Sequence, residues 1–303
     1  MRLAIVGRTA ALLATARRLI MEGHSIGLVV TPADVIGGEA FEALALAYGA
    51  AFIRTARINS EEIVTAMRLA ACELGVSLNW RTLIKPAALA SFARGVINGH
   101  AGDLPRYRGN ACPNWAILRG EAHVGLCVHQ MTQEIDAGPV FARARLRLTD
   151  STYITDVQTW IDRMLPELFS QAVSAIGRGD PPEPQNPDPA VTLRCYPRRP
   201  EDARIEWRED ARDIHRLVRA SSHPFDGAFC YLDDERVSVW RADVVEPRSQ
   251  HLAVPGQPCE AVEGDPMIAC GSGFMRLRDV TVNGRSNKLS KALLNRSVRL
   301  RLT

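Results

Sequence analysis

RLAIVGRTAALLATARRLIMEGHSIGLVVT, residues 2–31, carries the pattern from which the fold is read. The opening residues are apolar up to Gly7, as in a buried strand. Ala10 to Glu22 then repeats apolar side chains at helical spacing, and a second apolar run follows from Ser25 to Thr31. This is a β-α-β start. Working outward, the capping sequence Asn59-Ser60-Glu61-Glu62 opens a predicted helix from Ser60 to Leu74, and an apolar run follows from Gly75 to Trp80. Ala87 to Phe92 is again helical, and Gly95 to Asn98 reads as a strand. Alternating strands and helices predict the α/β class, with a Rossmann-like, mostly parallel sheet covered on both faces. Ligands then gather at the carboxyl ends of its strands. Position 98 sits at such an end, and a further strand from Val124 to Gln130 leads into the turn Gln133 to Pro139.

After a long helix predicted from Ile154 to Ile176, GRGDPPEPQNPDP at residues 177–189 concentrates proline, glycine and acid as linkers do. The expected division is therefore a catalytic domain over 1–190, linker included, and a smaller β-rich domain over 191–303. In the second part, Ala228 to Leu232, Val237 to Ala242 and Met275 to Val282 are β-prone, behind a helix at Ala211 to Ala220. Trp207 and Trp240 are expected to pack within it, and His215 and His223 to be structural.

The 303 residues are 46% hydrophobic and 23% charged, the balance of a globular protein. The apolar stretch Leu3 to Val6 is far shorter than a membrane span, which needs about 20 residues. Seven scattered cysteines without a C-x-x-C pair fit a reduced cytoplasm and argue against structural zinc. The net charge of +3 conceals a C-terminal strip of Arg285, Lys288, Lys291, Arg296, Arg299 and Arg301 with no acid among residues 285–303. Such a strip suits a phosphorylated partner or a solvated face. Only Gly7 stands where a dinucleotide fingerprint needs three spaced glycines, so a nicotinamide cofactor is rejected. Walker, H-E-x-x-H and G-x-S-x-G patterns are absent as well.

The chemistry concentrates in VINGHAGDLPRYRGNACPNWAILRGEAHVGLCVHQMTQEIDAGP, residues 96–139. Asn98 and His100 are two apart at a strand end, so in extended geometry both side chains project to one face. Acyl transfer to an amine needs donors for a developing oxyanion and a group that takes the proton shed by nitrogen. Asn98 suits the first role and His100 either. Asp136, in the glycine-flanked turn, is the carboxylate available to orient the imidazole. On spacing alone the same Asn-x-His also suits a structural capping pair.

This segment resembles the formyltetrahydrofolate-dependent formyltransferase family, which includes methionyl-tRNA formyltransferase and the N-formyltransferases of nucleotide-linked amino sugars. The resemblance is carried by Asn98-Gly99-His100, Leu104-Pro105, Tyr107-Arg108-Gly109 and Asp136-Ala137-Gly138, in order. It continues through YPRRPEDARIEWREDARDIHRLVRASSHPFDGAFCYL, residues 196–232, which is similar to the start of the family's C-terminal β-barrel-like (OB-like) domain. The resemblance implies that Asn98, His100 and Asp136 are catalytic. It also implies that N10-formyltetrahydrofolate is the cosubstrate, bound along Arg81, Thr82, Leu83 and Ile84, with Leu104 and Ile135 against the pterin and no metal required. The family's Ser-Leu-Leu-Pro is here Gly102-Asp103-Leu104-Pro105, which removes a hydroxyl and adds a carboxylate.

The acceptor implied is a small-molecule amine, a nucleotide-linked amino sugar contacted by Arg108 and Trp115. The tRNA enzyme of the family carries an inserted basic stretch in the loop after the second strand, whereas residues 31–53 here contain no lysine or arginine. Methionyl-tRNA remains the alternative acceptor, followed by a small amino acid or hydroxamate precursor. A formyltetrahydrofolate hydrolase and a noncatalytic folate-binding module are the readings outside transfer. Arg198 and Arg199 suit a substrate phosphate or pairing with Glu201, Asp202 or Glu206. A homodimer is compatible with these readings, and no membrane partner is expected.

Overall fold

The computed structural model describes residues 1–247 and 250–303. It contains two compact units. The first comprises residues 1–112, 124–146 and 159–195, and the second residues 113–123, 147–158 and 196–303. The division follows contacts rather than a single point on the chain.

The N-terminal elements are β1 (Arg2–Gly7), α1 (Ala10–Met21), β2 (Ser25–Pro32), α2 (Glu39–Ala47), β3 (Ala51–Thr55), α3 (Glu61–Leu69), β4 (Leu74–Leu78), α4 (Pro86–Leu89) and β5 (Val96–His100). They continue through β6 (Tyr107–Gly109), α5 (Cys112–Leu118), β7 (His123–Gln130), β8 (Val140–Arg147), α6 (Ile154–Arg178) and β9 (Leu193–Cys195). The main sheet runs β3-β2-β1-β4-β5-β7-β8. Its first five strands are parallel, and β7 pairs antiparallel with β5. The central strands β1, β2 and β4 are buried because each is apolar on both faces, with Leu3, Ile5, Leu28, Val29, Leu74 and Val76 at 0% exposure.

The chain builds outward from β1 to β3 on one side, then returns to add β4 and β5 on the other. The strand order therefore reverses between β1 and β4, and ligands of such sheets bind at the carboxyl ends of the strands at such a point. Gly7 closes this point: it faces Leu78 across the ladder at φ 138°, and a Cβ there would collide with the Leu78 carbonyl.

Three local differences from the sequence reading have simple causes. Residues 31–53 are not a loop after β2, because Phe41, Leu44 and Ala45 turn inward at helical spacing to make α2, and β3 then lines the sheet edge. The helix read as reaching Leu74 ends at Leu69, where Ala71 turns the chain at φ 48°, and Asn79 at φ 55° stops β4 short of Trp80. The expected linker is fastened to the first unit by mutual backbone hydrogen bonds of 2.8 Å between Val140 and Glu183.

The second unit carries α7 (Ala211–Ser221), β10 (Ala228–Leu232), β11 (Glu235–Val245), β12 (Pro258–Val262), β13 (Asp265–Ala269), β14 (Phe274–Val282) and α8 (Asn287–Leu294). Its antiparallel sheet has the order β10-β11-β14-β13-β12. Ile214 and Val218 of α7 bury against Val239, Leu277 and Trp207. Trp240 stacks on His223 at 4.1 Å. Tyr153 joins this core although it lies far upstream, its hydroxyl donating to the Ala242 carbonyl at 3.1 Å. Among the described residues no helix is long and apolar enough to cross a membrane.

Candidate functional site

Asn98 and His100 lie in the last three residues of β5, and the antiparallel register sets His129 of β7 directly opposite Asn98. The glycine between them is required by packing: a Cβ at Gly99 would press on Leu78, Leu165 and Phe169. The turn after β7 brings Asp136 back at φ 53°, tied by its Oδ2, which accepts the Gly109 backbone N–H at 2.9 Å. His100 Nδ1 stands 3.5 Å from Asp136 Oδ2, and His129 Nε2 stands 3.5 Å from Asp136 Oδ1. Asn98 Nδ2 is 3.5 Å from the same His129 Nε2. Asn98, His100 and Asp136, separated by up to 38 positions, thus meet at one place, with His129 as a fourth member between Asn98 and the carboxylate. The sequence by itself does not single out His129: strand parity in VGLCVHQ separates it from Val128, but only the register sets it on the Asn98 side.

The His100 ring is clamped from the other side, with Nε2 2.7 Å from the Tyr107 carbonyl. A carbonyl only accepts, so Nε2 carries a proton, and Nδ1 then meets Asp136 without one unless the ring is doubly protonated. Burial lowers the His100 pKa and outweighs the attraction of Asp136, keeping the ring neutral at pH 7. At Asp136 burial acts upward, but His129, His100 and the Gly109 N–H prevail and hold the carboxyl at about 2. The result is an ionised carboxylate beside a neutral imidazole whose two partners both suit an imidazolium. A proton arriving on the ring finds its stabilising groups already in place.

This burial has a measurable sign. With a native pKa below the ordinary 6.5, His100 leaves the unfolded chain binding more protons as pH falls, so stability is lost below pH 6.5. Thermal denaturation of a His100→Gln variant is expected to show a shallower decline of Tm from pH 6.5 downward than the parent protein. An unchanged slope would contradict a buried neutral ring.

The remaining candidates are placed as follows. Gly102 has no room for a side chain, since a Cβ would strike the Tyr107 carbonyl and His100 Nε2. The neighbouring carboxylate of Asp103 is drawn off by Arg143 at 2.9 Å and Arg145 at 3.2 Å, so the added charge is neutralised by β8. Leu104 is 1% exposed, sealed with Cys127 and Val140, and has no surface to offer a ring; this corrects its expected place against the pterin. Ile84 is likewise a core residue, while Leu83 is exposed and its carbonyl accepts from Asn59. Arg81 pairs with Asp34, and Thr82 accepts from the Trp80 indole at 3.1 Å. Ile135 is half-buried in the Asp136 turn.

Arg108 donates to Gln185 at 2.8 Å, and Gln185 in turn donates to the Asp136 and Gly138 carbonyls at 2.9 and 2.6 Å. Arg108 therefore braces the carboxylate turn through the linker, and Gln185 carried no sequence signal at all. Trp115 lies in the other unit, its indole donating to the Tyr196 carbonyl at 2.9 Å beneath the Arg198 guanidinium. Arg198 donates to the Asp202 carbonyl and Arg199 caps the turn through Asp202. Cys112 Sγ is 3.8 Å from His100 Nε2, but its contact with Cys195 and its burial push the thiol far above its usual range, leaving no thiolate. Among the described residues no group of three or more His, Cys, Asp or Glu is placed to hold a metal.

Comparison with known proteins adds the context. A family model described as formyl transferase matches residues 3–173, and one described as formyl transferase, C-terminal domain, matches residues 198–297. HypX from Aquifex aeolicus in complex with tetrahydrofolic acid is similar at TM-score 0.63 and 19% identity, over 92% of this chain and 44% of that one. The chain thus spans less than half the length of HypX. The N-formyltransferase from Helicobacter canadensis in complex with folinic acid and dTDP-3-aminofucose is similar at TM-score 0.66 and 15% identity, over 91% of this chain and 98% of that one. Methionyl-tRNA formyltransferase from Clostridium thermocellum is similar at TM-score 0.56 and 18% identity, over 81% and 94%. At these identities the likeness is one of fold.

Proposed function

Because the chain belongs to the formyl transferase family, we propose that it moves a formyl group from N10-formyltetrahydrofolate to the primary amine of a nucleotide-linked amino sugar. The observation that carries the reading is that His100 and His129 flank the ionised Asp136 at the ends of β5 and β7, with Asn98 joined to the carboxylate through His129. In the reaction the amine nitrogen bonds to the formyl carbon, and the oxyanion that develops is met by an Asn98 N–H. The proton shed by the amine is held by the His100–Asp136 pair. Collapse then breaks the bond to N10, which takes that proton. His129 positions both partners: its Nδ1 lies 2.9 Å from the Gln130 carbonyl and so donates, while its Nε2 stands 3.5 Å from Asn98 Nδ2 and 3.5 Å from Asp136 Oδ1. The pterin is assigned to the crevice beyond β4, along the backbone of residues 81–84 and beside Ile135.

The acceptor reading rests on charge. Residues 31–53 lack any lysine or arginine, fold into α2 and β3, and carry Glu39 and Glu42 in the first turn of α2, so the segment supplies no cation to gather phosphates. One observation favours methionyl-tRNA instead: Lys288, Arg296 and Arg299 have no carboxylate partner among the described residues, whereas Arg285 and Lys291 are paired with Glu235 and Asp265. The test is incubation with N10-formyltetrahydrofolate and a panel of amino-sugar nucleotides, read by mass. Gain of one formyl group on one of them is expected. Formylation of charged initiator tRNA alone would replace the acceptor, and release of formate without any formylated amine would replace transfer by hydrolysis.

A further inference from the structure

The second unit holds a cavity of about 880 Å³ whose lining residues all belong to that unit and include none of the site residues. Its wall is built by one face of α7, where Arg212, Arg216 and Arg219 follow one another at helical spacing. Arg241 from β11 and Arg278 from β14 complete it, so that five guanidinium groups from three elements line one concavity.

The carboxylates present do not balance them. Asp150 is fully exposed and 3.9 Å from Arg219, Arg278 is shared between Asp243 at 3.7 Å and Asp265 outside the wall at 3.6 Å, and Glu246 is the third acid of the wall. Arg216 is held by Asp213 at 2.7 Å, while Arg212 and Arg241 have no carboxylate partner among the described residues. Arg241 instead lies over the Tyr153 ring at 5.0 Å.

Arg219 is the most telling. It is 4% exposed, its Nη1 donates to the Thr149 and Thr152 carbonyls at 2.9 and 3.2 Å, and its buried Nε has no hydrogen-bond partner. A buried guanidinium with an unused donor, set among like charges, is a costly arrangement for a fold to keep unless an anion completes it. The forked geometry of guanidinium suits phosphate oxygens, and a cavity of this size lies in the range that admits a small ligand rather than one oxyanion.

We propose that this cavity binds a di- or triphosphate group, with Arg212 and Arg241 gripping it at the mouth and Arg219 at its floor. The phosphates belong either to a nucleotide or to free pyrophosphate.

Isothermal titration of the full chain with pyrophosphate at constant ionic strength tests the site, together with hydrogen exchange. One saturable event is expected, with protection rising in residues 211–221 and 241–246. The Arg212→Glu/Arg241→Glu double variant changes exposed side chains and should keep its circular dichroism and Tm while binding at least tenfold more weakly. A nucleoside diphosphate that binds tighter than pyrophosphate and loses affinity equally in the double variant assigns the nucleotide as source. Equal affinity of the two assigns the phosphate pair alone. Identical isotherms for parent and double variant, protection confined to other segments, or full reproduction of the effect by sulfate would overturn the assignment.

Discussion

Alanine at His100 is expected to lower kcat/KM for formyl transfer by about 10²–10⁴-fold, the range contributed by a positioned proton acceptor. The expectation follows from where the ring sits. It is 7% exposed, kept neutral by burial, and flanked by the Tyr107 carbonyl and Asp136, which together match the imidazolium formed when the amine gives up its proton. The loss should fall on kcat, because the crevice beyond β4 that is assigned to the folate is untouched. Steady-state kinetics paired with folate titration separates the two. Full turnover in the alanine variant would remove His100 from the chemistry, and a matching loss of folate affinity would make it a binding residue instead. A His100→Gln control, able to donate to the Tyr107 carbonyl, guards against a merely packing effect.

The Asp136→Asn substitution gives the second large effect. The amide keeps the shape and can still accept the Gly109 N–H, but it removes the negative charge that faces both His100 and His129. Turnover is expected to fall by about 10²–10⁴-fold through loss of the partner that holds the transferred proton. Stability changes too. With its pKa held at about 2, below the 3.8 of the unfolded chain, the carboxylate contributes about 2 kcal/mol above pH 3.8 that is lost as pH falls toward 2. The variant should therefore be less stable at pH 7 by about that amount and lack this acid-side decline. Denaturant unfolding at pH 7, 4 and 2.5 checks it, and equal stability of both proteins at pH 7 would sink the charge argument.

Much of the first unit was legible because a buried parallel strand announces itself by unbroken apolar residues. β1, β2 and β4 were readable for that reason, and α1 and α6 because their apolar stripes are long. The segment after β2 was misread because α2 is brief and Ala-rich, and β3 is an edge strand only partly buried. The second unit's strands were visible singly as β-prone runs, but β12 and β13 were not seen, and no local signal joins residues 113–123 and 147–158 to that unit.

For the site, sequence determined the residue types: an amide and an imidazole two apart at a strand end, and a carboxylate in a glycine-flanked turn. A strand's two-residue period makes such a pair share a face wherever the strand lies. Only the tertiary structure decided the rest, since register and turn conformation are set by long-range pairing. It placed His129 opposite Asn98, brought Asp136 between two histidines, engaged Asp103 with Arg143 and Arg145, and made Arg108 a brace through Gln185. It also turned Leu104 into core. The charge state of His100 belongs to the same class, because burial is a property of everything packed around a residue and of nothing in its neighbours along the chain.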